Sequence, residues 1–364
     1  MSDHSAASAQ PGPSLQQQVV VKVCFGSPVT DAKLSGLDFS GRPMPGAIFS
    51  QVDFSGCNFH GADLREALFD QCDISGANFD GAQMRGAQFH KCGGPMSRWT
   101  GASLRSARWI ECDLRQAQMN EADLNLAAMI KCRLDEADLS RALLDRSTFS
   151  EIVATRAKLH AIAMHQVTFN ACVLDEASLE GSSLDLVTFH ETGLVGRSFC
   201  KVRLMGVQFM GCDLTAADFS QTELPKCNFK GAILDKAQFR DARAANTLFP
   251  QACGQACDFS GADLSQAIFV ESKWQQTRFE RANLYQACFT QSKLARCTLR
   301  DAELTYVDFS HAQATECDFE GASMFRTKLH GMTTTACRFS DRARALETDA
   351  DLANAEQWNA SAGA

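Results

Sequence analysis

Every fifth residue of this chain is large and apolar. Of the 62 positions from Leu34 to Phe339 whose numbers end in 4 or 9, 56 carry Leu, Phe, Met, Ile or Trp. The exceptions are Gly94, Ala154, Ala244, Gly254, Ala314 and Thr334. The residue two places earlier is Ala, Cys, Ser, Thr or Val at 56 of 62 positions, departing at Leu37, Arg42, Ile152, Ile162, Arg197 and Met332. A polar residue, often Asp or Asn, stands between the two, and Gly is common two places after the large one. The phase never slips between residues 32 and 340.

A period of five fits neither regular element. On a helix, successive repeats would march around the circumference. In a straight strand an odd period sends each repeat to the opposite face. A chain that turns a corner every five residues keeps both apolar positions inward, and the other three residues form the corner. Phe or Trp occupies 24 of the 31 positions ending in 9, whereas only Phe54 and Trp274 are aromatic among those ending in 4. That alternation requires an even number of corners per coil. Cys72, Cys92, Cys112 and Cys132 recur every 20 residues, as do Cys297, Cys317 and Cys337, so four corners close one coil.

Runs such as Ala62-Asp63-Leu64-Arg65-Glu66, Ala77-Asn78-Phe79-Asp80-Gly81 and Ala262-Asp263-Leu264-Ser265-Gln266 resemble the A(D/N)LXX motif of the pentapeptide-repeat family. The likeness covers roughly residues 32 to 340. It implies an all-β fold, a right-handed quadrilateral β-helix; of this description, the handedness comes from the resemblance alone. About 15 coils spaced as paired strands would make a rod roughly 75 Å long.

An open solenoid end exposes core and unpaired backbone, so both ends need caps. Residues 1–17 are expected to be disordered, and the β-branched run within Gln18–Phe25 reads as a strand closing the N-terminal end of a repeat domain spanning 18–340. For 341–364 the expectation is a helical cap and frayed tail, with Ser340 capping a helix whose Ala343, Leu346, Ala350 and Ala353 share a face. Gly93-Gly94-Pro95 suggests a bulged loop, and the exchanged sizes at Ile152/Ala154 and Met332/Thr334 suggest kinks. The stretch from Arg243 to Gly254, with Ala244 and Pro250, suggests another loop or kink. Arg197 occupies an inward slot where an unpaired charge is costly, and the coil is expected to open there.

The chain of 364 residues carries a net charge of -8. That balance argues against direct binding to nucleic acid, which wants clustered bases. The chain has no apolar run long enough to span a bilayer, and its N-terminus lacks the charge and apolar core of a signal peptide. These features point to a cytoplasmic protein, with secretion by a signal-peptide-independent route left open. Charge is banded along the sequence. Asp53–Asp80 nets -5, Arg85–Arg108 nets +5, Asp175–Glu191 nets -5, Lys273–Arg300 nets +5 and Asp301–Glu320 nets -6. The last step makes Lys273, Arg278, Arg281, Lys293, Arg296, Arg300, Asp301, Glu303, Asp308, Glu316, Asp318 and Glu320 the candidate partner-binding surface. Attraction between neighbouring coils is the alternative explanation of that step.

No phosphate loop, nucleophile elbow or H-E-x-x-H occurs, and a filled narrow coil has no room for a ligand, so no catalytic, cofactor or metal site is expected. Six of the eight histidines follow a central residue and should point outward without carboxylate partners. The residues fit a non-enzymatic rigid scaffold or adaptor for a partner protein. What the resemblance implies includes secretion-associated roles, some in type VI loci, and as an alternative a DNA mimic that binds DNA gyrase. Full mimicry by a rod of this length would need on the order of 40 negative charges, one per 1.7 Å or so. The repeats from 32 to 340 offer 36 acids against 32 bases.

Twelve of the 16 cysteines fall in the small inward slot. Stacked copies would have parallel Cβ vectors about 4.8 Å apart, wider than the usual disulfide separation of about 3.5–4.5 Å. The purified protein is therefore expected to carry free thiols and no metal. Intact mass and thiol titration check this, and several bridged pairs or stoichiometric zinc would contradict it.

Overall fold

A computed structural model describes residues 14–361. The repeats form a parallel-strand β-solenoid of about 16 turns. Strand pairs run in register at a separation of 20 residues, as in Phe49 over Phe69 and Phe189 over Phe209. Each coil has four short sides, so a residue lies above its counterpart in the preceding coil. The amide of Leu64 donates to the carbonyl of Gln83 and that of Asp63 to Arg42, at 2.7 and 3.0 Å. At most corners the amide two residues beyond the large one bonds to the next coil with its residue in the left-handed region, as at Gly61 (φ 63°) and Gln71 (φ 53°). Glycine is frequent there because it has no Cβ to clash.

The core is a set of files parallel to the rod axis. Phe149, Phe169, Phe189, Phe209 and Phe229 stack face to face, with successive centroids 4.9–5.5 Å apart. A second file, from Phe199 through Phe219 to Phe239, meets the first edge-on, as in Phe209–Phe219 at 78°. Aromatic pairs favour both geometries. The small inward slot has its own chemistry. A polar atom there often reaches the carbonyl 23 residues earlier, as Cys92 Sγ to Phe69 at 3.3 Å, Ser182 Oγ to Leu159 at 2.8 Å and Thr327 Oγ1 to Leu304 at 2.8 Å, whereas Ser97, Ser147 and Ser272 bond to the carbonyl three residues earlier. This explains why Cys, Ser and Thr can replace Ala in a dry core with their polar atom satisfied, Ser292 being an exception. Burial pushes the thiols of Cys57 and Cys172 up to about 11 and those of Cys212, Cys227 and Cys257 up to about 12.

The interruptions expected from the sequence are mostly repaired. Gly94 keeps its bond to Asp113 at 2.7 Å, and the space its side chain would fill is taken by Ile74 and Leu114, so there is no bulged loop. Gly254 likewise lies in a regular strand, with Cys257 and Trp274 filling its slot; the 243–254 stretch forms no loop. Ile152 and Ala154 are both buried in a continuous ladder, whereas Met332 and Thr334 are only partly covered because they belong to the last coil. Among the described residues the ladder parts on the sides that would join Leu143 to Ala163 and Arg203 to Glu223, which leaves a separate three-stranded sheet, and it parts again at Arg197. Its guanidinium is buried and donates to the carbonyls of Leu174 (2.7 Å) and Ala177, leaving Nε without a partner. Among the described residues, the bonds that would join Glu176 to Val195, Leu179 to Ser198 and Ser198 to Ala177 are not formed. The coil opens at that corner as expected, and burial lowers the guanidinium's pKa.

Both ends depart from expectation. The segment read as a strand is a helix, α1 (Leu15–Cys24), so Ser14–Gln17 is ordered as its start; residues 1–13 lie outside the described residues. A reciprocal capping box links Ser14 and Gln17, and Val19 and Val23, four apart, are buried. Helix spacing thus places valines on one face over the first coil, which outweighs their β propensity. At the other end Ser340 caps no helix; its hydroxyl accepts the amide of Gly321 at 2.8 Å. Leu346 instead exchanges bonds with Thr327 and Leu329 at 2.8 Å, and Arg344 accepts the amide of Arg326 at 3.0 Å. Pairing the open edge satisfies buried backbone that a helix over 343–353 would leave bare. The terminal helix, α2, is later, at Ala350–Ser361, with Asp349 accepting the amides of Asp351 and Leu352. Its last turn includes residues 359–361, expected to fray; residues 362–364 lie outside the described residues.

Two stability predictions follow from the packing. Phe209 is fully buried between Phe189 and Phe229, so Phe209→Ala should cost about 3–5 kcal/mol. Exposed Arg203→Ala should cost no more than about 0.5 kcal/mol. Similar losses on chemical denaturation would overturn the inward and outward assignment. Arg197→Ala should instead stabilise the rod by about 1 kcal/mol or more, because a buried cation leaves and the ladder can close. A lower denaturation midpoint for that variant would show that the guanidinium's two bonds outweigh its desolvation.

Candidate protein-binding surface

Lys273 and Lys293 lie directly opposite one another on adjacent strands of a flat five-stranded parallel sheet. Both are exposed, and among the described residues neither has a carboxylate within 4.0 Å. With Asp235, Cys253, Gln255 and Gln313 they border a shallow open depression of about 450 Å³. The extended segments Cys253–Gln255, Lys273–Gln275 and Lys293–Ala295 keep this face flat and project the lysines outward in register.

The rest of the expected charge step is largely spent inside the molecule. Arg296 Nε lies 2.8 Å from Glu316, one coil on. Arg300 Nη1 contacts Asp318 at 3.0 Å and Glu320 at 2.8 Å, and the Asp318 hydrogen bond raises the Arg300 pKa. Arg278 sits 3.9 Å from Asp258 and 3.7 Å from Glu280, and Asp308 faces Lys328 at 3.6 Å. Several acids also hold corners. Glu303 accepts the amide of Thr305 at 2.7 Å, Asp308 that of Ser310 at 2.9 Å, and Asp318 that of Glu320 at 3.0 Å. Arg281 and Asp301 occupy the same corner in consecutive coils without forming an ion pair. Attraction between neighbouring coils therefore accounts for Arg278, Arg296, Arg300, Glu316, Asp318 and Glu320. It does not account for Lys273, Lys293 or Arg281.

The histidines correct a second expectation. His90 Nδ1 lies 2.7 Å from Asp70, and His165 Nδ1 2.8 Å from Asp145, each one coil apart. At the C-terminal end, His311, His330 and Glu356 bring their ligand atoms within 4.8 Å of one another, the only group with metal-binding composition among the described residues. Their hydrogen bonds favour another role. The backbone amide of Asp349 donates to His330 Nδ1 at 3.2 Å, so the ring proton sits on Nε2 and is directed at Glu356 Oε2, 3.3 Å away. A metal on Nε2 would need that proton moved to Nδ1, opposite the amide hydrogen. His311 Nε2 completes the set at 3.1 Å from Oε1. The carboxylate, its pKa lowered by His330 first and then His311, ties α2 to the last coils. The carboxylate–histidine pairs could have been read by taking residue numbers modulo 20; the Glu356 contact has no such signal, since it comes from outside the repeats.

No helix among the described residues is long and apolar enough to cross a membrane. Among curated proteins, none matches the chain. Solved structures that align with the chain include QnrB1, a plasmid-mediated fluoroquinolone resistance protein, at 18% identity, TM-score 0.38, with 54% of this chain and 89% of that one covered. HetL of the cyanobacterium Nostoc sp., a pentapeptide repeat protein involved in heterocyst differentiation regulation, aligns at 20% identity and TM-score 0.32, covering 69% and 95%. Residues 102–179 and 202–279 match the description of a pentapeptide repeat region, residues 45–93 that of pentapeptide repeats in nine copies, and residues 292–331 that in eight copies. The repeats, the 20-residue register and these matches together place the chain in the pentapeptide-repeat family.

Proposed function

We propose that this chain is a non-enzymatic scaffold that binds a partner protein in the cytoplasm through its charged faces. The observation that carries this reading is the stacked, uncompensated pair Lys273–Lys293 on a sheet face, in a molecule where many neighbouring-coil charges are matched, as at Arg296–Glu316 and Arg156–Glu136. Like charges directly opposite on paired strands are unfavourable, so their placement fits an acidic surface supplied from outside. Arg281, exposed and without an ion pair although Asp301 stands one coil on, adds a third cation in the same part of the rod. The charge balance does not favour imitation of a duplex, because basic and acidic stretches alternate along the axis. An adaptor role beside a secretion system is a narrower form of the same reading, and gene neighbourhood tests it.

Lys273→Glu/Lys293→Glu should leave the far-UV signal and melting midpoint little changed, since both side chains are exposed and unpaired. Captures from native lysate by wild-type and variant protein, compared by mass spectrometry at physiological salt, should differ by the loss of a specific partner. Identical captures would place the binding surface elsewhere.

A further inference from the structure

Charge across adjacent coils follows a rule in this molecule: a base stands one coil from an acid. Arg141–Glu121 at 3.1 Å, Arg156–Glu136 at 2.5 Å, Lys158–Asp138 at 3.4 Å and Arg243–Glu223 at 2.6 Å all obey it at a separation of 20 residues. One file breaks it. Arg65, Arg85 and Arg105 occupy the same corner in three consecutive coils; the carbonyl of Arg85 accepts the amide of Glu66 and that of Arg105 the amide of Gly86, both at 2.9 Å, which fixes them one above another. Arg108 follows on the next face of the Arg105 coil, opposite Gln88. All four are exposed. Arg65 is held by Asp63 at 2.7 Å, but the side chains of Arg85, Arg105 and Arg108 have no ion pair or hydrogen bond among the described residues.

Three guanidinium groups stacked about 4.8 Å apart at the backbone repel one another, and a neutral corner residue would avoid that cost. The cost is offset when an external anion lies along the file, because each planar guanidinium offers a fork that fits a carboxylate with two hydrogen bonds. We infer that Arg85, Arg105 and Arg108, with Arg65 at one end, form a docking site for a short acidic peptide segment of a partner protein.

Size and surroundings select a peptide over a nucleic acid. The file spans two coil spacings, roughly 10 Å, while same-side residues in an extended peptide lie about 6.8 Å apart, so two or three acidic side chains cover it. A nucleic acid gains affinity by neutralising many phosphates in succession. Beyond Arg65 such a polyanion would run onto Asp53–Asp80, whose net charge is -5. Glu66, at the same end, sets a boundary that a short segment can avoid. This inference rests on the reading of the rod as a protein-binding scaffold, but it concerns coils distant from Lys273 and Lys293.

Fluorescein-labelled octaglutamate, followed by fluorescence anisotropy at several salt concentrations, tests the site. Wild-type protein should bind it, more weakly as salt rises. Arg85→Ala/Arg105→Ala/Arg108→Ala should weaken binding at least ten-fold while its melting midpoint stays equal or rises, since like charges are relieved. The control Arg141→Ala/Arg156→Ala/Arg243→Ala loses the same formal charge from paired positions and should bind within two-fold of wild type. Absence of wild-type binding, equal losses in both triple variants, or tighter binding of an equally charged single-stranded oligonucleotide than of octaglutamate would each overturn the assignment. A failure confined to this assay leaves the Lys273–Lys293 surface standing, and unchanged lysate capture by the lysine variant leaves this file standing.

Discussion

The structure depends on one constraint: each short side of a coil must hydrogen-bond to the side 20 residues away. A five-residue segment has one turn bond of its own, such as the amide of Ala62 to the carbonyl of Phe59, so most of its backbone is satisfied by the coils before and after it. Once that register is fixed, every position becomes a column. Rings stack on rings because Phe209 cannot help but lie over Phe189. Many buried hydroxyls and thiols fall within reach of the equivalent carbonyl, 23 residues earlier, as at Cys92 and Thr327. Surface charge obeys the same geometry, which turns a linear sequence into files of neighbours about 4.8 Å apart.

The columns also decide which irregularities the rod tolerates. A missing side chain is filled from the adjoining coils, as Ile74 and Leu114 do at Gly94 and Trp274 does at Gly254. Volume can be shared along a file because the ladder itself is intact. A buried charge cannot be shared in this way. The guanidinium of Arg197 needs oxygen partners, and one of the two it takes, the Ala177 carbonyl, is one that the ladder would otherwise occupy. Backbone bonds are exchanged for side-chain bonds, and the coil parts locally.

The interior was legible in the sequence because its signal is repeated 62 times in one phase. The ends were not, for the same reason: outside the repeats each decision rests on a few residues. Val19, Val20, Val21 and Val23 are β-branched, yet the Ser14–Gln17 box and the four-residue spacing of Val19 and Val23 settle on a helix that covers the first coil. Near Leu346 the helical pattern of alanines loses to an exposed edge that needs a strand. The candidate surface was half legible. Charge bands can be counted along the chain, but whether Arg296 is spent on Glu316 depends on the column, and a band of one sign in sequence says little until it is sorted into columns.

That sorting gives a general criterion for surface function on a solenoid. Ion pairs between exposed groups contribute only about 0–1 kcal/mol each, so pairing across coils is a weak preference, not a requirement of the fold. Its consistent observance in Arg141, Arg156, Lys158 and Arg243 therefore reflects many small gains, none of which is expensive to give up. Places where like charges are stacked instead, at Arg85 over Arg105 and Lys273 over Lys293, forgo the gain and add repulsion. Packing does not force either arrangement, since the side chains point to solvent and a neutral residue would fit each position equally well. The remaining physical reason for keeping such a file is a counter-charge outside the molecule, and the two files face different kinds of surface: one a narrow corner, the other a flat sheet.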